Sequence, residues 1–214
     1  MAALSNAEQL MTRNWIWISG WAIDPDRFKA AAESVLPKDS HKVVAPTPDA
    51  LQKVIESGAD HIGGYSLGSL ILLSSIGQIP KAMTIFCLAP FISFCKEDRS
   101  GGATPRTTVE SLQKRLRTQP QKTLHLFYRL AGVRDPLPEH LPYSIDSLRW
   151  GLEQLAILRA NKATLDRATG IAGLNDPLID TSLMRSEWPT CHFVEGCNHD
   201  YRELLVALSR LHYF

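Results

Sequence analysis

HIGGYSLGSLILLSS, residues 61–75, sets a single serine between two glycines where a strand-like run gives way to a helical one. On its left, Asp60 to Gly64 is short and has no helical period; it follows Ile55-Glu56-Ser57-Gly58, which reads as a helix ending on a glycine. On its right, Leu67, Leu70, Ile71, Leu72 and Ile76 recur at helical spacing, with small residues Gly68 and Ser69 leaving room for close packing. Gly64-Tyr65-Ser66-Leu67-Gly68 is therefore read as the sharp strand-to-helix turn called a nucleophile elbow, which lifts the serine hydroxyl clear of a sheet. The plain alternative is an accidental glycine-rich turn.

Working outward, short apolar runs alternate with helical patterns. Strands are predicted at Trp15 to Ser19, Lys42 to Ala45, the run before Ser66 and Met83 to Leu88; helices at Asp26 to Val35, Leu51 to Glu56 and after Ser66. Such alternation implies parallel strands joined by right-handed crossovers. After Pro90 the rhythm breaks into a polar loop, residues 96–102, and a mostly helical stretch from Thr104 to Asn161. It returns at Arg167 to Ala172 and Thr190 to Val194, with a closing helix at Tyr201 to Leu211. The expectation is an α/β-hydrolase fold: a mostly parallel sheet of about six strands built from residues 1–98 and 162–214, interrupted by a helical lid at 99–161.

The whole has the size and character of one enzyme-sized domain, at 214 residues and 44% hydrophobic content. Cys87, Cys95, Cys191 and Cys197 lack the close paired spacing of a metal site, and Met1 to Asn14 lacks the basic-then-apolar pattern of a secretory start. A reducing cytoplasm is expected, with no membrane span, because the longest apolar run, Ala82 to Pro90, is only of strand length.

A serine nucleophile needs a base and an acid that orients the base. Groups that act in open α/β sheets come from loops at the carboxyl ends of strands. Asp176 follows one late strand and His199 the other, so the chain order is Ser66, Asp176, His199. Asp180 and Asp200 stay open as alternative acids. The remaining histidines fit less well: His41 and His192 read as strand residues, His61 precedes the elbow, and His125, His140 and His212 lie in the insertion or at the tail. An oxyanion hole needs two N–H groups; Leu67, directly after the serine, and Trp21, in the loop Ile18-Ser19-Gly20-Trp21-Ala22 where Gly20 lets the chain turn, are the candidates. Trp21 also reads as an ordinary packing aromatic.

Ser19-Gly20-Trp21, the elbow with Ser69, Leu88-Ala89-Pro90-Phe91, the segment TTVESLQKRLRTQPQKTLHLFYRL and the later GLEQLAIL together resemble the pimeloyl-acyl-carrier-protein methyl ester esterases of biotin synthesis, over about residues 14 to 211. The resemblance implies hydrolysis of the methyl ester on carrier-bound pimeloyl by a serine triad, without cofactor or metal, beneath a lid whose arginines contact the carrier. It assigns the triad to Ser66, Asp176 and His199 and the oxyanion hole to Trp21 and Leu67. The chain departs from that pattern in three places. Ser19 stands where histidine is common, the loop after the second strand is cut to Pro46-Thr47-Pro48, and the N-terminal hairpin strands are missing.

Charge bears on the partner independently. Between Thr104 and Arg134 lie seven basic residues and one acidic, Glu110, whereas the whole chain carries only +1. A basic lid on an otherwise acidic protein suits an acidic macromolecule such as an acyl carrier protein, with Lys114, Arg115, Arg117, Lys122 and Arg129 as the contact residues. The alternative is a solvated helix face. Nucleic acid is not expected, because aromatic residues for stacking are not interleaved with the charges. A general carboxylesterase or thioesterase, and a non-catalytic binding protein on the same scaffold, are the rival functions.

Overall fold

The computed structural model describes residues 12–136 and 139–212; part of the stretch read for a secretory start, residues 1–11, lies outside them, as does the side chain of His212. Six strands, β1 (Asn14–Ile18), β2 (Ser40–Val44), β3 (His61–Tyr65), β4 (Thr84–Leu88), β5 (Ala168–Gly173) and β6 (His192–Val194), form one sheet in the order β2-β1-β3-β4-β5-β6. Every neighbouring pair is parallel. The sheet starts at β2, so among the described residues no hairpin strands precede it.

Helices α1 (Pro25–Val35), α2 (Ala50–Ile55), α3 (Leu67–Ser74), α7 (Thr181–Glu187) and α8 (Tyr201–His212) accompany these strands, and α4 (Arg106–Leu116), α5 (Pro120–Ala131) and α6 (Ile145–Ile157) fall between β4 and β5. The direction of winding reverses at β1 and β3, which opens a crevice at their carboxyl ends.

Side-chain alternation explains the unusual Gly63-Gly64 pair in β3. Trp17 of β1 packs on Phe28 of α1. Its indole lies so close over Gly63 that a Cβ there would meet the ring at 1.9 Å. Gly64, on the opposite face, admits α3: a Cβ would stand 2.6 Å from the backbone of Gly68 and Ser69. One glycine is spent on each face of the sheet. All four cysteines are free thiols, three of them buried, and no helix among the described residues is long and apolar enough to cross a membrane.

Candidate active site

Ser66 stands at the junction of β3 and α3 with φ 55° and ψ −113°, in the sterically costly region expected of an elbow. Two features hold it there. Its N–H donates to the Leu88 carbonyl at 2.9 Å, and Gly68 presses against β1, where a Cβ would come within 2.1 Å of the Ile18 carbonyl oxygen. Ser69 Oγ adds a bond, lying 2.8 Å from the carbonyl oxygens of both Gly64 and Leu88.

The loops after β5 and β6 bring a carboxylate and an imidazole to this corner. His199 Nε2 lies 2.9 Å from Ser66 Oγ, and His199 Nδ1 lies 2.6 Å from Asp176 Oδ2. An ionised carboxylate only accepts, so Nδ1 carries the proton and Nε2 is the acceptor facing the serine hydroxyl. The other carboxylate oxygen, Asp176 Oδ1, accepts from the Leu178 N–H at 2.8 Å, which fixes the carboxylate plane. The two alternative acids are engaged elsewhere: Asp180 caps α7 by accepting from the Leu183 N–H, and Asp200 accepts from the N–H groups of Arg134 and Arg202. His41, His61 and His192 lie in β2, β3 and β6.

Two contacts invisible in the local sequence complete the histidine's setting. Phe91, in the loop after β4, stacks on the His199 ring at 6.0 Å. Tyr65 donates its phenolic hydrogen to the His199 carbonyl at 2.5 Å. Burial, reinforced by the Asp176 and Asp200 carboxylates, holds that phenol far above its ordinary pKa, so it remains a donor.

Trp21 and Leu67 meet across Gly151 of α6, where a Cβ would contact both side chains. Among the described residues neither of their backbone N–H groups has an acceptor. Gly20 has a different role from the one its position suggested. The left-handed residue of this loop is Ala22, at φ 62°, while Gly20 is small because the Tyr65 ring lies 2.7 Å from where its Cβ would be. Ser19, which stands where the resemblance leads one to expect histidine, is fully buried, its N–H on the Val44 carbonyl and its hydroxyl on the Ile23 carbonyl. Strain gathers at this edge: Ala22, Ser66 and Ala89, three of the four non-glycine residues with positive φ among the described residues, follow β1, β3 and β4.

Ser66, His199 and Asp176 are 2%, 1% and 5% exposed, so the three side chains meet in a largely buried corner. The five basic residues singled out in the sequence are all exposed. Lys114 and Arg117 line one depression of about 340 Å³ with Glu110 and Gln113 on α4, and Lys122 and Arg129 lie on α5. Arg106 and Arg134 differ, being paired with Asp98 and Glu203.

No protein-family model matches the chain, and no curated protein matches it. Solved structures do. A lipase-esterase related protein from Clostridium acetobutylicum superposes with a TM-score of 0.60 at 13% identity, over 94% of this chain and 92% of that one. RedJ, a thioesterase of the prodiginine pathway in Streptomyces coelicolor, gives 0.54 at 12% identity, over 92% and 89%. The bottromycin epimerase BotH gives 0.56 at 12% identity, over 94% and 90%. At such identities the likeness establishes the α/β-hydrolase fold. An epimerase among these neighbours underlines that the fold does not choose the reaction.

Proposed function

We propose that the protein is a serine esterase, and that its substrate is the methyl ester of a pimeloyl group on acyl carrier protein in the cytoplasmic synthesis of biotin. The observation that carries the esterase reading is the continuous hydrogen-bonded chain from Ser66 Oγ through His199 to Asp176, mounted on a strained elbow. In this reading His199 Nε2 takes the serine proton as Oγ attacks the ester carbonyl, and the N–H groups of Leu67 and Trp21 receive the developing oxyanion. Collapse of the tetrahedral intermediate breaks the ester C–O bond, and protonated His199 gives its proton to methanol. Water, deprotonated by the same nitrogen, then releases the acid and regenerates Ser66. Asp176 stabilises the imidazolium and fixes its tautomer. No step requires a metal or an organic cofactor.

What supports the carrier-linked substrate is the sequence resemblance in the helical insertion, together with the five exposed basic side chains there, which form no ion pair among the described residues. The insertion then acts as a lid over the triad. Intact-protein mass spectrometry of pimeloyl methyl ester carrier, with and without the protein, tests this directly. Loss of one CH2 from the acyl chain, abolished in Ser66→Ala, is expected. Cleavage of a small free ester with the carrier substrate untouched would leave a general esterase; no fluorophosphonate adduct at Ser66 would leave a binding protein.

A further inference from the structure

Ala22 adopts a left-handed conformation that a non-glycine residue does not keep unless its surroundings hold it there. The hold comes from the helical insertion. The Ala22 N–H donates to Tyr143 Oη at 2.6 Å, and the Ala22 carbonyl accepts from Tyr128 Oη at 2.6 Å. One residue earlier, the Trp21 indole N–H donates to the Leu148 carbonyl at 2.8 Å, and its ring meets Phe127 edge-on at 4.7 Å. The sheet ties down the start of this turn, through the Ser19 N–H on the Val44 carbonyl of β2, and the turn closes on itself through the Ile23 N–H on the Gly20 carbonyl. Burial raises the pKa of both phenols, so neither hydroxyl loses its proton near neutrality.

We propose that Tyr128 and Tyr143 are positioning residues for the oxyanion hole. By fixing the Trp21–Ala22 and Ala22–Ile23 peptides, while the Leu148 carbonyl holds the Trp21 indole, they set the backbone next to the peptide that carries the Trp21 N–H, so that the second oxyanion donor is in place only when α5 and the segment leading into α6 are docked on the turn. The inference rests on the esterase reading and adds a coupling to it. Displacement of these two segments would release Ala22, and their return would rebuild the hole. Oxyanion stabilisation is thereby tied to the docked arrangement of the insertion. Removing a single oxyanion donor costs about 10²- to 10³-fold in kcat, and a displaced one costs less.

The test uses the full chain carrying Tyr143→Phe or Tyr128→Phe, each alone and combined with Ala22→Gly. For a small chromogenic ester, each phenylalanine variant should lose about ten- to a hundredfold in kcat with KM within about twofold. Hydrogen exchange in a peptide covering residues 19–24 should quicken. Glycine takes positive φ without the steric cost, so Ala22→Gly should restore part of the lost kcat. Rescue separates positioning from a general loss of structure, which glycine would not repair. Tyr143 is half-buried and its variant carries the test if Tyr128→Phe is recovered unfolded. An active parent whose tyrosine variants keep kcat within twofold, or lose it without rescue, overturns the inference alone. A parent that neither cleaves the ester nor labels at Ser66 sinks the esterase reading, whatever the variants do.

Discussion

Tyr65 and His199, 134 positions apart, are joined by a 2.5 Å bond from the phenol to the backbone carbonyl of the histidine. The residue before the elbow serine thus holds the main chain of the residue that faces it. The ring of Tyr65 is separately fixed, against Phe28, Tyr201 and the space that Gly20 leaves open. Tyr65→Phe should therefore keep the packing, orphan the His199 carbonyl and cost about 1–3 kcal/mol of stability by denaturant titration. Ester turnover should fall about tenfold, since the main chain of His199 then loses its direct tie to the residue before the serine. Unchanged turnover would mean that the Asp200 hydrogen bonds suffice to hold the loop.

The elbow glycines make a graded prediction. Alanine at Gly68 would put Cβ 2.1 Å from a backbone carbonyl oxygen, and at Gly64 2.6 Å from backbone, neither of which can step aside. Gly58 has φ +69° but nothing within 4 Å of its Cβ position. Gly58→Ala should cost only the conformational penalty of about 1–2 kcal/mol. Gly64→Ala and Gly68→Ala should cost more, with Gly68→Ala the worst, as read by thermal or chemical unfolding. Equal losses at all three would refute close packing as their cause.

Asp176 and Asp180 both follow β5, but only Asp176 reaches His199. Asp176→Asn should cut kcat by several orders of magnitude, because an amide at that position favours the wrong imidazole tautomer. Asp180→Asn should leave turnover and stability nearly unchanged, since asparagine caps a helix as well as aspartate does. Steady-state kinetics on the pair decide it, and the reverse ranking would move the acid.

This distinction marks where sequence reading stops. The elbow, the six strands and the order of serine, aspartate and histidine are legible because each is a local pattern: an apolar run, a turn, a residue just past a strand. Asp180 even carried a local sign of its other role, standing directly before the helix Thr181–Glu187 that it caps. Gly63 gives no such sign, because the ring that requires it belongs to Trp17 on the neighbouring strand. Nor does Ala22, whose hydrogen-bond partners are 106 and 121 positions away. Contacts set by chain crossing rather than by periodicity are the ones that only three dimensions reveal.

His41 offers a pH test of the scaffold. Burial lowers its pKa from the ordinary 6.5. Trp17 Nε1, a donor only, points at His41 Nδ1 at 3.2 Å, so Nε2 carries the proton toward the Leu36 carbonyl at 3.1 Å. The fold therefore prefers the neutral ring, while the unfolded chain takes up a proton near 6.5. Stability should be full above that value and decline as pH falls below it. His61, lowered by burial and by Arg13, acts in the same sense. The unfolding midpoint should drop between about pH 7 and 5, and less steeply in His41→Asn, which keeps an acceptor near Trp17 but cannot titrate. A parallel decline in both proteins would remove His41 from the account.

The last prediction concerns the partner. Lys114, on α4, and Arg117, just past its end, line one depression, exposed and without an ion pair among the described residues, whereas Arg106 and Arg134 are neutralised by Asp98 and Glu203. Exposed charges mainly speed encounter, over about 8–10 Å at physiological salt. Reversing both to glutamate should lower kcat/KM for a carrier-linked methyl ester several-fold or more. A small chromogenic ester presents no acidic surface and should be cleaved at the parent rate, because the residues around Ser66 are untouched. Raising salt on the parent should imitate the double variant for the carrier-linked substrate only. Equal losses on both substrates would show that these charges serve the folding or placement of α4, and the carrier would lose its main electrostatic support.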